Sequence, residues 1–292
     1  MKYMIRYIIY VTLFTFVFIA INVVHTQEQE KYNLSTKVAE GQKFNVSVES
    51  SIDFDITVQS QDKSSSSNSI SITNKNKFAV EISEVKNDKP KTMSVTCISS
   101  TLARSGSHIE PIGPMKTQLD GKSFILKRRG SSFEVTSKDG NPSDAETNSL
   151  GRWEDYRLFL PEEEVAVGES WEANIEDILA LLSNIDDNIA EGELRCKLES
   201  ATNGKAEISI TGKAQATIQS GAKGKKGDNV KTKADVTLNG ALTLDIERHL
   251  PLFITLSGSM NLQHNELTKS STTIGEVNIN SRKFTLNIVF EW

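Results

Sequence analysis

The chain has 292 residues, 37% of them hydrophobic and 24% charged, and a formal net charge of −5. A mildly acidic body lacks the basic face that phosphate contact requires, which excludes nucleic acid as the natural partner. The length accommodates one large β domain or two small ones.

The first 26 residues read as an export segment. Lys2 and Arg6 are the only formal charges before Glu28, and an apolar stretch runs from Ile8 to Val24. A basic start followed by an apolar core is the pattern of a Sec-type signal peptide, and this core is also long enough for an uncleaved membrane anchor. Either reading puts the rest of the chain outside the cytoplasm, in the periplasm or cell envelope. Residues 27–160 and 161–292 then divide into two β-rich halves.

From Phe44 the even positions read Phe44, Val46, Val48, Ser50, Ile52, Phe54, Ile56 and Val58, with polar residues between them. Strand side chains alternate with period two, so this segment has one apolar and one wet face. The same parity recurs at Ile70, Ile72, Phe78, Val80 and Ile82, and again from Ala206 to Ile218, Ala234 to Ile246, Leu252 to Leu262 and Phe284 to Trp292. Such runs predict a mainly β fold: a large, curved, half-barrel-like antiparallel sheet with one solvated side. One stretch breaks the period. Ile175, Ile178, Leu179, Leu182, Ile185 and Ile189 fall at helical spacing behind Asn174 as N-cap, which predicts one main amphipathic helix near 175–189. Ser143–Leu150 is a weaker helical candidate.

The halves share landmarks that suggest duplication. Val38-Ala39-Glu40-Gly41-Gln42-Lys43-Phe44 and Val165-Ala166-Val167-Gly168-Glu169-Ser170-Trp171 are both Val-Ala-x-Gly-x-x-aromatic. Each half also holds a polar hairpin turn, Asn87-Asp88 and Asn203-Gly204, and Leu119-Asp120-Gly121 is matched by Leu238-Asn239-Gly240. Cys97 and Cys196 are two cysteines in an oxidising compartment, which permits one disulfide. Their parity with Met93 and Val95, and with Leu194 and Leu198, equally fits two small buried hydrophobes. The four histidines are scattered, without metal-ligand spacing.

The segment Leu160-Pro161-Glu162-x-x-Val165-x-Val167-Gly168-x-Ser170-Trp171 resembles a family of uncharacterised exported bacterial proteins. In that family a Leu-Pro…Val-Gly-[Asp/Glu]-Ser-Trp signature separates two β-rich halves. The architecture is similar, more distantly, to half-barrel carriers of lipoproteins and lipids in bacterial envelopes. The resemblance implies no established activity, and no nucleophile elbow, zinc-protease helix or phosphate loop is present. Enzymatic function and cofactors are therefore not expected.

Small residues on the apolar face of the second half, Gly212, Ala214, Gly240 and Gly258, let another backbone or a ligand approach. A ligand site is expected between them and the helix stripe of Ile178, Leu182 and Ile185. The function that fits is binding of a lipid or other apolar or amphipathic ligand, or of another envelope protein, in the concavity of a curved sheet. Two alternatives stand beside it. One is a scaffold with a filled core; the other is an outer-membrane β-barrel, suggested by the terminal Phe290 and Trp292 on an alternating strand.

Overall fold

Long alternating runs become long strands because a continuous apolar face is buried only when neighbouring strands keep register over its whole length. The computed structural model describes residues 29–59, 65–107, 109–130, 132–139, 150–174, 189–220, 230–263 and 276–292. In the first half these form β1 (Lys31–Tyr32), β2 (Lys43–Gln59), β3 (Ser65–Lys86), β4 (Lys89–Gly106), β5 (Ile109–Lys116), β6 (Ser123–Arg129) and β7 (Ser132–Ser137). A 3-10 helix, Arg152–Phe159, leads into β8 (Val165–Ala166) and β9 (Ser170–Glu172). The second half continues with β10 (Ile189–Thr202), β11 (Lys205–Ser220), β12 (Val230–Asp245), β13 (Leu250–Gln263) and β14 (Glu276–Glu291).

One antiparallel sheet runs β7-β6-β4-β3-β2-β14-β13-β12-β11-β10-β9, with β5 paired to the upper part of β4, and β1 and β8 form a separate two-stranded sheet. The large sheet does not close. The C-terminal strand β14 lies between β13 and β2 and so joins the two halves edge to edge. An open sheet corrects the closed membrane-barrel alternative. The terminal aromatic that prompted it is an internal contact: the Trp292 ring lies 4.1 Å from that of Phe44, and its Nε1 donates to the Pro251 carbonyl at 2.6 Å.

The expected helix over 175–189 and the weaker candidate at 143–150 fall almost wholly outside the described residues. Ile189 is the first residue of β10, and Leu150 lies in a turn before the 3-10 helix. That helix was not expected from the sequence. Its eight residues carry Trp153, Tyr156 and Phe159, each no more than 2% exposed. Trp153 packs on Phe78 with ring centroids 5.0 Å apart, and Tyr156 meets Phe290 edge-on at 5.7 Å. Pro161 follows directly, where the chain has returned to extended backbone at Leu160.

The repeated Val-Ala-x-Gly-x-x-aromatic segments fold alike, bond for bond. Gly41 and Gly168 sit at φ +77° and +90°, a conformation that excludes side chains readily, and each donates its N–H at 2.7 Å to a strand carbonyl, of Ile82 and Leu198 respectively. The N–H groups of Ile82 and Leu198 return bonds to the carbonyls of Gln42 and Glu169. The side chains of Gln42 and Glu169 accept from the N–H of Ala39 and Ala166. Beyond each bond pair comes a register shift, at Ile82/Glu84 and at Leu198/Ser200, and then a two-residue turn with both residues at positive φ. Those turns, Asn87-Asp88 and Asn203-Gly204, have the twist that type I′ hairpins require. The Leu119 and Leu238 segments do not correspond: Gly121 is in a turn at φ +76°, whereas Gly240 lies within β12.

Candidate functional site

Because paired residues share a face, the ladders can be followed straight across the sheet. One inner row runs Leu194, Gly212, Leu238, Gly258, Phe284, Ile52, Ile72, Arg104, Ile112, from β10 through to β5. Burial fades along it. Leu194, Leu238 and Phe284 are 1%, 2% and 9% exposed, Ile52 and Ile72 are half-buried, Arg104 is exposed and Ile112 is 36% exposed. The next row towards the turns ends Leu286, Ser50, Asn74, Leu102, Met115, with Leu102 and Met115 at 37% and 52%. The row on the other side includes Phe54 and Ile70, both half-buried. The apolar face predicted from the alternation is thus packed over β10–β14, half-buried at Ile52 and Ile72 of β2 and β3, and open at Leu102, Ile112 and Met115 of β4 and β5.

A polar layer separates this open strip from the closed core beneath it. Ser100 is fully buried; its hydroxyl bonds Asn76 Oδ1 and Thr117 Oγ1, both at 2.6 Å, and its N–H donates to Asp120 at 3.0 Å. Lys116, 2.7 Å from Asp120, and the Ser100 N–H together hold the Asp120 carboxyl below the usual range. Below this layer lie Val46, Phe78, Val95 and Cys97, none above 2% exposed.

The expected site residues are placed as follows. Ile178, Leu182 and Ile185 lie outside the described residues. Gly212, Ala214, Gly240 and Gly258 are on the inner face of β11–β13, in adjoining rows. The room left by the three missing side chains is taken by cross-strand partners. A Cβ on Gly212 would come within 2.6 Å of Leu194 Cδ1, one on Gly240 within 2.7 Å of Leu256 Cδ2, and one on Gly258 within 2.5 Å of the Phe284 ring. Such partners lean over the glycines and restore packing, as aromatic side chains do across strand glycines. Ala214 is 6% exposed.

Cys97 and Cys196 are both free and fully buried, which corrects the disulfide alternative. Cys97 lies on β4 and Cys196 on β10, both in the hydrophobic core, and each pairs with a hydrophobic neighbour, Phe78 and Trp171 respectively. Burial pushes the Cys97 thiol up to about 11 and the Cys196 thiol up to about 12. Trp171, the aromatic of the central signature, is half-buried; its Nε1 donates to the Phe159 carbonyl at 3.0 Å and so ties β9 to the 3-10 helix.

A second buried cluster is ionic. The Glu154 side chain, 1% exposed, lies 3.1 Å from Arg157 Nε and 3.7 Å from Arg128 Nη2. Arg157 also donates to the Thr36 carbonyl at 3.2 Å, Tyr156 donates to the Thr36 hydroxyl at 3.0 Å, and Arg128 Nε donates to the Pro90 carbonyl at 2.9 Å. These bonds tie Thr36 to the 3-10 helix and, through Glu154 and Arg128 of β6, the helix to the start of β4. Among the described residues no group of three or more His, Cys, Asp and Glu is placed to hold a metal ion.

Two shallow grooves lie on the opposite, polar face. One, of about 650 Å³, has Lys43, Asn45, Glu81, Thr96 and Glu291 on its walls; the other, of about 430 Å³, has Glu193, Arg195, Lys213 and Asn239. Charges and polar strand residues, among them Lys43 with Glu81 at 3.6 Å, share the first groove with Ala79, Val80 and Trp292.

No family model and no curated protein matches the chain. The likeness to an exported bacterial family carried by Leu160–Trp171 accordingly has no counterpart in these comparisons. A solved structure described as lipid-protein interactions in lipovitellin is similar at a TM-score of 0.49 and 9% identity, over 87% of this chain and 25% of that one. The chain thus spans about a quarter of that protein's length.

Proposed function

We propose that this is an exported, non-enzymatic protein that binds an apolar or amphipathic ligand on the uncovered part of its inner sheet face. The observation that carries this reading is the fading of burial along a single row. The ladder that is closed at Leu194 and Leu238 ends with Ile112 more than one-third exposed, beside Leu102 and Met115. Three large apolar side chains, Leu102, Ile112 and Met115, are thereby left open to water side by side on the inner face. The site therefore moves from the glycine-bearing strands to β2–β5. Export rests on the basic and apolar N-terminal segment, and the matching turns at Gly41 and Gly168 support an origin by duplication.

The test is uptake of an uncharged fluorescent apolar probe by the full chain. Leu102→Glu with Met115→Glu should abolish uptake and leave a strand-dominated circular-dichroism spectrum. Val289→Glu, at a 38% exposed residue of the opposite face, should bind like the parent. A parent that takes up no apolar probe would favour the scaffold reading.

A further inference from the structure

Arg104 is the one cation described on the inner face of β2–β5. It sits in the row between Ile72 and Ile112, one row from Leu102 and Met115, and is exposed. Among the described residues its side chain has no hydrogen bond or ion pair. No acidic residue shares these rows: the inner positions of the four strands are Val48, Ser50, Ile52 and Phe54; Ile70, Ile72, Asn74 and Asn76; Ser100, Leu102 and Arg104; Ile112 and Met115. Asp53, Asp55 and Glu49, which would neutralise it, are on the other face of β2, and Glu110, at the shift between Ile109 and Ile112 of β5, is exposed and makes no ion pair among the described residues. An unpaired guanidinium beside Ile52, Ile72, Leu102, Ile112 and Met115, with only the neutral Ser50 and Asn74 among them, offers one contact for an anion within a mainly apolar strip.

The size of the strip decides between kinds of occupant. Four strands about 4.8 Å apart and three rows about 6.8 Å apart give a patch roughly 14 Å on each side, or about 200 Å². A stable protein partner needs about 800 Å² from each side. One acyl chain fits the smaller figure.

Resting on the reading above, we infer that the occupant is a single-chain amphiphile with a monoanionic head, such as a fatty carboxylate. Its chain lies across Ile52, Ile72, Leu102 and Met115, and its head is held by Arg104. The planar guanidinium fork matches a carboxylate, with two parallel N–H donors meeting two oxygens.

The experiment compares cis-parinaric acid with its methyl ester, which keeps the chain and removes the charge, on the full protein. The acid should bind about tenfold more tightly than the ester, the worth of one charge-assisted contact at an exposed site. Arg104→Gln should bring the acid down to the affinity of the ester and leave ester binding and the strand spectrum unchanged. Equal binding of acid and ester by the parent overturns the anionic-head assignment and leaves the apolar-site reading standing. An acid preference that survives Arg104→Gln overturns the role of this residue. Failure of both probes to bind overturns the assignment together with the reading on which it rests.

Discussion

At the scale of single residues, the buried ionic cluster is where stability is most exposed to substitution. Glu154 neutralises part of the charge of two guanidiniums that have little access to water, with side-chain exposures of 19% for Arg128 and 11% for Arg157. Glu154→Leu would remove the carboxylate in direct contact with both cations, and the expected loss is about 3–5 kcal/mol in a denaturant titration. Its neighbour Asp155 sets a pH dependence of opposite sense to the usual carboxylate. Burial pushes its carboxyl up to about 7 from an ordinary value of 3.8. A folded-state value above the unfolded one means that the protonated form favours folding, so stability is fully present below pH 4 and is lost as the pH rises towards 7. Asp155→Asn, neutral throughout, should show a smaller fall in melting temperature between pH 5 and pH 8 than the parent; parallel curves would assign the loss to another group. The two thiols follow the same logic of burial. In native protein, Cys97 and Cys196 should react with a thiol reagent far more slowly than in denaturant, since the thiolate is the reactive form and burial disfavours it.

At the scale of elements, the two Gly-x-x-aromatic turns do the same work with different aromatic residues. Phe44 is 4% exposed and packs against Trp292 and Phe290, whereas Trp171 is half-buried and anchored by one hydrogen bond. Phe44→Ala should therefore cost about 3–5 kcal/mol, the range for a buried aromatic, and Trp171→Ala should cost less. A Trp171→Ala variant that loses more than Phe44→Ala would show that the link between β9 and the 3-10 helix carries more than its burial suggests. The glycines of β11–β13 belong to packing between strands. At Gly258 a Cβ would collide with the Thr237 carbonyl and with the Phe284 ring, so Gly258→Ala should destabilise the sheet through backbone displacement, visible as a lowered melting temperature.

For the whole molecule, β14 is the element on which the sheet depends. It pairs with β13 over Phe253–Met260 and with β2 over Asn45–Gln59. Deleting residues 276–292 would leave two long strands with unpaired backbone edges in the middle of the sheet, a template for association between chains. The truncated chain is expected to elute as large aggregates in size-exclusion chromatography; a folded monomer would mean that β2 and β13 can pair directly. The natural edge at β5 is protected. Pro111 and Pro114 lie within its eight residues, and a proline has no N–H to offer a further strand.

Strict alternation from Phe44 and Phe284 determined strands, an antiparallel sheet and the face that is buried, because a period of two has only one structural solution at that length. The Gly41 and Gly168 turns were equally legible, since both the spacing and the need for positive φ are local. What the sequence did not show is where the apolar face lacks a cover. The extra residue Ile98, where Phe78 pairs with Cys97 but Lys77 with Ser99, reverses the parity of β4. A further shift along β5, where Leu102 pairs with Met115 but Arg104 with Ile112, brings these two residues, three apart, to the same inner side. Their signals, the adjacent apolar pair Cys97-Ile98 and a three-residue spacing with prolines, resemble a break in the pattern. The glycine stripe suggested a vacancy for a similar reason: a sequence displays a missing side chain, but only the ladder shows that Leu194, Leu256 and Phe284 occupy the space. Burial along a row is a property of what lies across the sheet, and only the tertiary structure decided it.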